Sequence, residues 1–237
     1  MNKVKHYIIL VIAALSGLLS SCDVMGGLYD DPIDSGIDGG GEEWEYHTVV
    51  DGVRSGQYYI DATSYTKWIY VNLRSDQPNI STTEIDLENY GETEMPDEWD
   101  FALHHYDVKT NGAEVMMTPY HSIEALLSEG MPNGGEWVAD EYSDEAIIVD
   151  MSHMLEGYLI YAPGYVNREA SKWFDVDIGT PPNYIMPPIY TMRDNVMLYR
   201  FPDGTCAAIQ LVNYMGHDRY QTKGWMTVKY KYPVFER

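Results

Sequence analysis

The stretch DMSHMLEG, residues 150–157, sets an imidazole between two thioethers, His153 between Met151 and Met154, with Asp150, Ser152 and Glu156 around them and Gly157 at the close. It is too polar for a core strand. Methionine is a flexible gap filler, so one reading is loop packing; thioether sulfur is also a soft ligand, so the other is a site for a soft ion. Other chemistry is missing from the chain. It has no Gly-x-Ser-x-Gly, His-Glu-x-x-His, phosphate loop or Cys-x-x-Cys, and among 37 acidic residues no pair stands out as acid and base. The chain therefore reads as a non-enzyme with no catalytic residues. His104 and His105 are adjacent; on one strand they face opposite ways, which favours structural, hydrogen-bonded histidines over a shared metal.

Short β-rich runs must position these residues. YYIDA, KWIYVNL, WDFALHHYDV, EAIIVDM, NVMLYRF, CAAIQLVNY and GWMTVKYKY are rich in β-branched and aromatic residues and bounded by Gly, Pro, Asn or Asp. In WMTVKYKY, Met226, Val228, Tyr230 and Tyr232 face one way and Trp225, Thr227, Lys229 and Lys231 the other, the pattern of a half-buried strand. Two helices are predicted, in HSIEALLSEG with a stop at Gly130, and in VNREASKW through Val166, Ala170 and Trp173. The fold class is mainly β: a single antiparallel β domain over residues 57–237 with a few short helices.

Residues 1–21 read as a signal peptide, with Lys3 and Lys5 ahead of the apolar run YIILVIAALSGLL. Leu-Ser-Ser-Cys at its end has the form of a lipobox, which makes Cys22 the lipidation site. Acyl chains on one cysteine anchor a protein stably without a spanning helix. Cys206, in GTCAAIQLVNY, reads as a small buried hydrophobe. Residues 22–56 read as a flexible acidic tether, since Cys22 to Gly52 has many carboxylates and no Lys or Arg. Without Lys3 and Lys5 the 15 basic residues fall to 13 against 37 acidic ones, a formal −24. Such a surface is repelled by phosphate backbones, which excludes nucleic acid as a partner.

IDATSYTKWIYVNL, EWDFALHHYDVKTNG, VDMSHMLEG, NREASKWFDVD, MPPIYT and GWMTVKYKYP, in this order over nearly the whole domain, resemble the HmuY family of haem-binding lipoproteins. The resemblance implies a mostly β, HmuY-like fold. It also implies a hemophore-like role in iron acquisition: haem is captured outside the cell between two axial side chains and delivered to a TonB-dependent outer-membrane receptor. Localisation would be the outer membrane, lipid-anchored and exposed at the cell surface or released. Carried over residue by residue, the resemblance makes Met154 and Met186, the latter in YIMPPIYT, the axial ligands of the haem iron, with His153 as second choice. The chain departs from the family pattern in IGTPPNY, which lengthens the path from Trp173 to Met186.

A methionine pair is chemically coherent. Thioethers favour reduced iron and raise its potential, and they need no deprotonation to bind. Pro187 and Pro188 stiffen the backbone after Met186, which lowers the entropy lost on ordering it. No Lys or Arg lies between Thr110 and Asn167, so the haem propionates are expected to meet some of Lys109, Arg168, Lys172 and Arg193, tyrosine hydroxyls, or water. The alternative function is a surface glycan-binding or assembly lipoprotein, suggested by 21 tyrosines and 6 tryptophans on a β scaffold.

Overall fold

A computed structural model of the chain describes residues 44–92, 94–180 and 183–235, and within these leaves the side chains of Leu155, Ile178, Tyr184, Met186, Pro187 and Pro188 undescribed. The expected signal peptide, Cys22 and the tether up to residue 43 lie outside the described residues. Among those residues no helix is long and apolar enough to cross a membrane.

The protein is mostly β, and every named strand pair is antiparallel. A six-stranded sheet runs in the order β1 (Tyr46–Val50), β2 (Val53–Asp61), β14 (Lys223–Val234), β13 (Cys206–Met215), β12 (Met197–Arg200), β7 (Glu114–Met117). A four-stranded sheet runs β4 (Asn79–Glu84), β3 (Lys67–Asn72), β5 (Phe101–His104), β6 (Asp107–Thr110). Two hairpins complete the fold, β8 (Glu141–Asp150) with β9 (Ile160–Val166), and β10 (Phe174–Thr180) with β11 (Asn183–Met192).

Period-2 alternation explains the layering. Tyr58, Ile60, Met226, Val228 and Ile209 of the larger sheet bury against Ile69, Val71, Phe101 and Leu103 of the smaller one. The opposite face of the smaller sheet, Trp68, Tyr70 and Ala102, is covered by Ile147, Val149, Ala162 and Val166 of β8–β9. Strand β3 is thus buried on both faces, each large side chain contributing about 1.5–3 kcal/mol by leaving water. The far side of the larger sheet takes α1 (Ile123–Glu129) through Ile123 and Leu126. This is the helix read in HSIEALLSEG; the Ser122 hydroxyl accepts from Ala125 N at 3.0 Å, and Gly130 N donates to Leu126 O. Cys206 is buried at the start of β13, as expected.

Three expectations need correction. The β structure includes residues before 57, because β1 and the first half of β2 pair from Tyr46↔Gln57 to Val50↔Val53. Asp51 and Gly52 form the two-residue turn with φ of 52° and 80°, a hairpin signal hidden inside an acidic, glycine-rich composition. Residues 167–173 are not a helix. Val166, Ala170 and Trp173 are buried as their spacing suggested, but the Asn167 side chain accepts from Ala170 N and its carbonyl from Ser171 N, making a local turn instead. WDFALHHYDV is two strands rather than one, folded at His105–Tyr106 with His105 at φ 52°.

Candidate functional site

Met154 opens a 3-10 turn, Met154–Glu156, in the loop joining β8 to β9. Asp150 starts this loop by accepting from Ser152 N at 2.7 Å, and Met154 N donates to Met151 O at 2.9 Å. Gly157 ends it in the left-handed region at φ 91°, its N–H donating to Met154 O. Met154 is only partly buried, so the loop does not sink this residue into the core.

His153 sits beside it. Its Nδ1 lies 3.2 Å from Glu156 Oε2, and its ring stacks on Tyr158 at 4.7 Å with 11° between planes. With Glu156 beside Nδ1, Nε2 is the ring nitrogen turned away from that carboxylate, the one placed to ligate, while the Tyr158 ring fixes the plane. Glu156 and Tyr158 are supporting residues that sequence reasoning passed over, although Glu156 lies at i+3 from His153.

Met186 lies on β11, and its backbone explains the Met-Pro-Pro. The β10–β11 register runs regularly from Phe174↔Met192 to Asp177↔Ile189 and resumes at Gly179↔Tyr184. Residue 178 alone therefore stands opposite residues 185–188. Prolines donate no ladder hydrogen bond, so Pro187 and Pro188 force the ladder to open, and Met186 is carried on the resulting bulge. The base of this hairpin is fixed by aromatic packing of Phe174 with Tyr106, Tyr190 and Tyr214.

The cations expected near the propionates are mostly committed. Lys109 is buried and paired with Glu92, Lys172 pairs with Glu169, and Arg193 grips both oxygens of Asp175. Arg168 is the loosest, 61% exposed with its Nε 3.9 Å from Glu141 Oε2. Arg168 also lies close enough to oppose the rise of the Asp107 carboxyl, which burial pushes up to about 7.

His104 and His105 are structural, as expected. His104 Nε2 donates to the Tyr65 carbonyl at 2.8 Å, and burial drives its pKa down to about 4. His105 Nδ1 donates to Ala62 O at 2.9 Å, and its Nε2 lies 2.8 Å from the Tyr65 hydroxyl. Among the described residues no cluster of His, Cys, Asp and Glu could hold a metal ion, so a bound metal there would need other donors.

The family model described as HmuY protein matches residues 64–230. A solved structure described as a lipoprotein of Bacteroides fragilis is 46% identical, with a TM-score of 0.69, covering 80% of this chain and 95% of that one. One described as a HmuY-like haem-binding protein of Bacteroides vulgatus is 38% identical, with a TM-score of 0.65, covering 77% and 93%. The apo HmuY analogue of Tannerella forsythia, 21% identical with a TM-score of 0.59 over 79% and 100%, shares the fold. No curated protein sequence matches the chain.

Proposed function

Because the chain belongs to the HmuY family, we propose that it is an extracellular haem-binding lipoprotein whose axial iron ligands are Met154 and Met186. The observation that carries the reading is the opened ladder at residues 185–188. A Met-Pro-Pro that sacrifices hairpin hydrogen bonds to lift one methionine out of register is a poor way to pack a sheet and a good way to present a ligand. The partly buried Met154 on a capped turn of the other hairpin supplies the second sulfur.

Two soft, neutral sulfurs add no charge to the iron and stabilise its reduced form. The protein's own residues hold these ligands in place: Asp150 and Gly157 fix the turn around Met154, and Pro187 and Pro188 limit the arc open to Met186. Propionates would face water, since Lys109, Lys172 and Arg193 already have carboxylate partners and Arg168 lies beside Glu141 at the base of β8–β9, away from the Met154 loop. His153 is the second reading for the first ligand, favoured by its Glu156 contact. Cys22 acylation, outer-membrane anchoring and delivery to a TonB-dependent receptor belong to the same proposal.

Haem titration of the full chain with and without dithionite tests it. The expected result is a six-coordinate absorbance spectrum, with tighter binding in the reduced state. Absence of saturable haem uptake in both states would refute it.

A further inference from the structure

The described residues also line a half-open cavity of about 520 Å³ beside the base of β8–β9, at the opposite end of that hairpin from the Met154 loop. The β4–β5 connection contributes Glu92, Met95 and Trp99, β6 contributes Lys109, and the β8–β9 base contributes Asp140 and Tyr165. Small residues, Gly112, Ala113, Ala139 and Gly164, leave room between these walls. The volume falls in the range of small-molecule sites, about 300–1,000 Å³.

Charge selects the ligand class. Among the described residues the one cation lining the cavity, Lys109, is spent internally: it pairs with Glu92, donates to the Tyr70 hydroxyl at 2.8 Å and lies 4.1 Å above the Trp68 ring. An anion would therefore meet the Asp140 carboxylate and a lysine already neutralised by Glu92. An organic cation would find the aromatic cage already filled by the Lys109 ammonium, with Tyr70 and Trp99 as its other walls. A neutral ligand remains.

The walls suit a ring with an apolar face and a hydroxylated edge. Asp140 takes three protein donors, Thr110 N at 2.7 Å, Thr110 Oγ1 at 2.8 Å and Asn167 Nδ2 at 3.0 Å, which fix the carboxylate and leave one of its roughly four acceptor positions open. Tyr165 is 60% exposed and packs edge-on against Tyr142, itself 58% exposed, at 5.4 Å. Two rings kept in water beside a cavity make a platform that continues past its mouth. The geometry points to a second ligand site, independent of the haem reading, for a neutral pyranose within an oligosaccharide: its C–H face lies on Tyr165 and Trp99, and its hydroxyls donate to Asp140 and Glu92.

Calorimetric titration of the full chain with cellobiose, mannobiose and chitobiose tests this, repeated on Tyr165→Ala, Trp99→Ala and Met154→Ala. At least one disaccharide should bind at about millimolar strength. Affinity should fall at least about tenfold in the Tyr165 and Trp99 variants and persist in Met154→Ala. Tyr165 is exposed, so that variant folds even where loss of Trp99 unsettles the loop. Haem uptake by Tyr165→Ala should match the parent protein. The proposal is overturned if none of the three sugars binds, if binding survives Tyr165→Ala, or if Tyr165→Ala abolishes haem uptake, which would make the cavity part of the haem site.

Discussion

The two hairpins that carry the candidate methionines are built alike and attached differently. Hairpin β8–β9 lays Ile147, Val149, Ala162 and Val166, all 1–3% exposed, across Trp68 and Tyr70 of the four-stranded sheet. Among its described side chains, hairpin β10–β11 reaches the core at its base, through Phe174 and Met192, and farther along exposes Val176 at 50% and Ile189 at 52%. A two-stranded hairpin is marginal in water without such packing. Met154 thus sits on a hairpin packed against the four-stranded sheet, whereas Met186 sits on one that exposes Val176 and Ile189 beyond its base. Ligand binding would then draw its entropy cost chiefly from β10–β11, where the prolines reduce it.

The largest effect should come from removing the anchor of the first hairpin. Ile147→Ala leaves a cavity against Trp68 and should cost about 2–5 kcal/mol of global stability in urea unfolding. A loss below about 1 kcal/mol would mean that β8–β9 is as loosely held as its counterpart.

Acid should loosen the sheet beneath β8–β9 next, once the opposing carboxyl of Asp107 is removed. His104 is fully buried 5.4 Å from the Trp68 ring, with its pKa lowered to about 4. Between about pH 6.5 and 4 the unfolded chain binds a proton that the folded one refuses, so stability falls as pH drops through that window, by on the order of 3 kcal/mol. Asp107, opposite His104 in the β5–β6 ladder and raised to about 7, titrates with the opposite sign over a comparable span and offsets this, so the pair leaves little net slope in the parent chain. In an Asp107→Asn background the slope should steepen, and adding His104→Gln should flatten it.

Smaller effects separate ligand presentation from folding. Gly157→Ala meets no neighbour within 4 Å but must hold φ at +91°, costing about 1 kcal/mol in the Met154 turn. Haem affinity should weaken severalfold while the unfolding midpoint barely moves. Ile189→Ser on the exposed arm should change stability by less than about 0.5 kcal/mol; a larger loss would show that β10–β11 is anchored after all.

Much of this architecture was legible because burial follows period. Met226, Val228 and Tyr230 enter the core and Lys229 is exposed, as alternation in β14 required. The spacing of Ile123, Leu126 and Leu127 with Gly130 located α1. The errors arose where local hydrogen bonding overrode composition or spacing: the Asp51–Gly52 turn inside an acidic stretch, the Asn167-centred turn that mimics helical periodicity, and a hairpin at His105–Tyr106 without turn-forming residues. Met154 stood out by its polar neighbours. The cavity did not, because Trp99, Lys109 and Tyr165 come from separate segments whose meeting has no local signature.

Absorbance titration of dithionite-reduced haem into the parent chain, Met154→Ala, Met186→Ala and His153→Ala tests the methionine pair most directly. The account predicts that each methionine variant loses the six-coordinate spectrum and binds at least about tenfold more weakly, while His153→Ala keeps both. Retention of spectrum and affinity by either methionine variant, or their loss in His153→Ala, would contradict it.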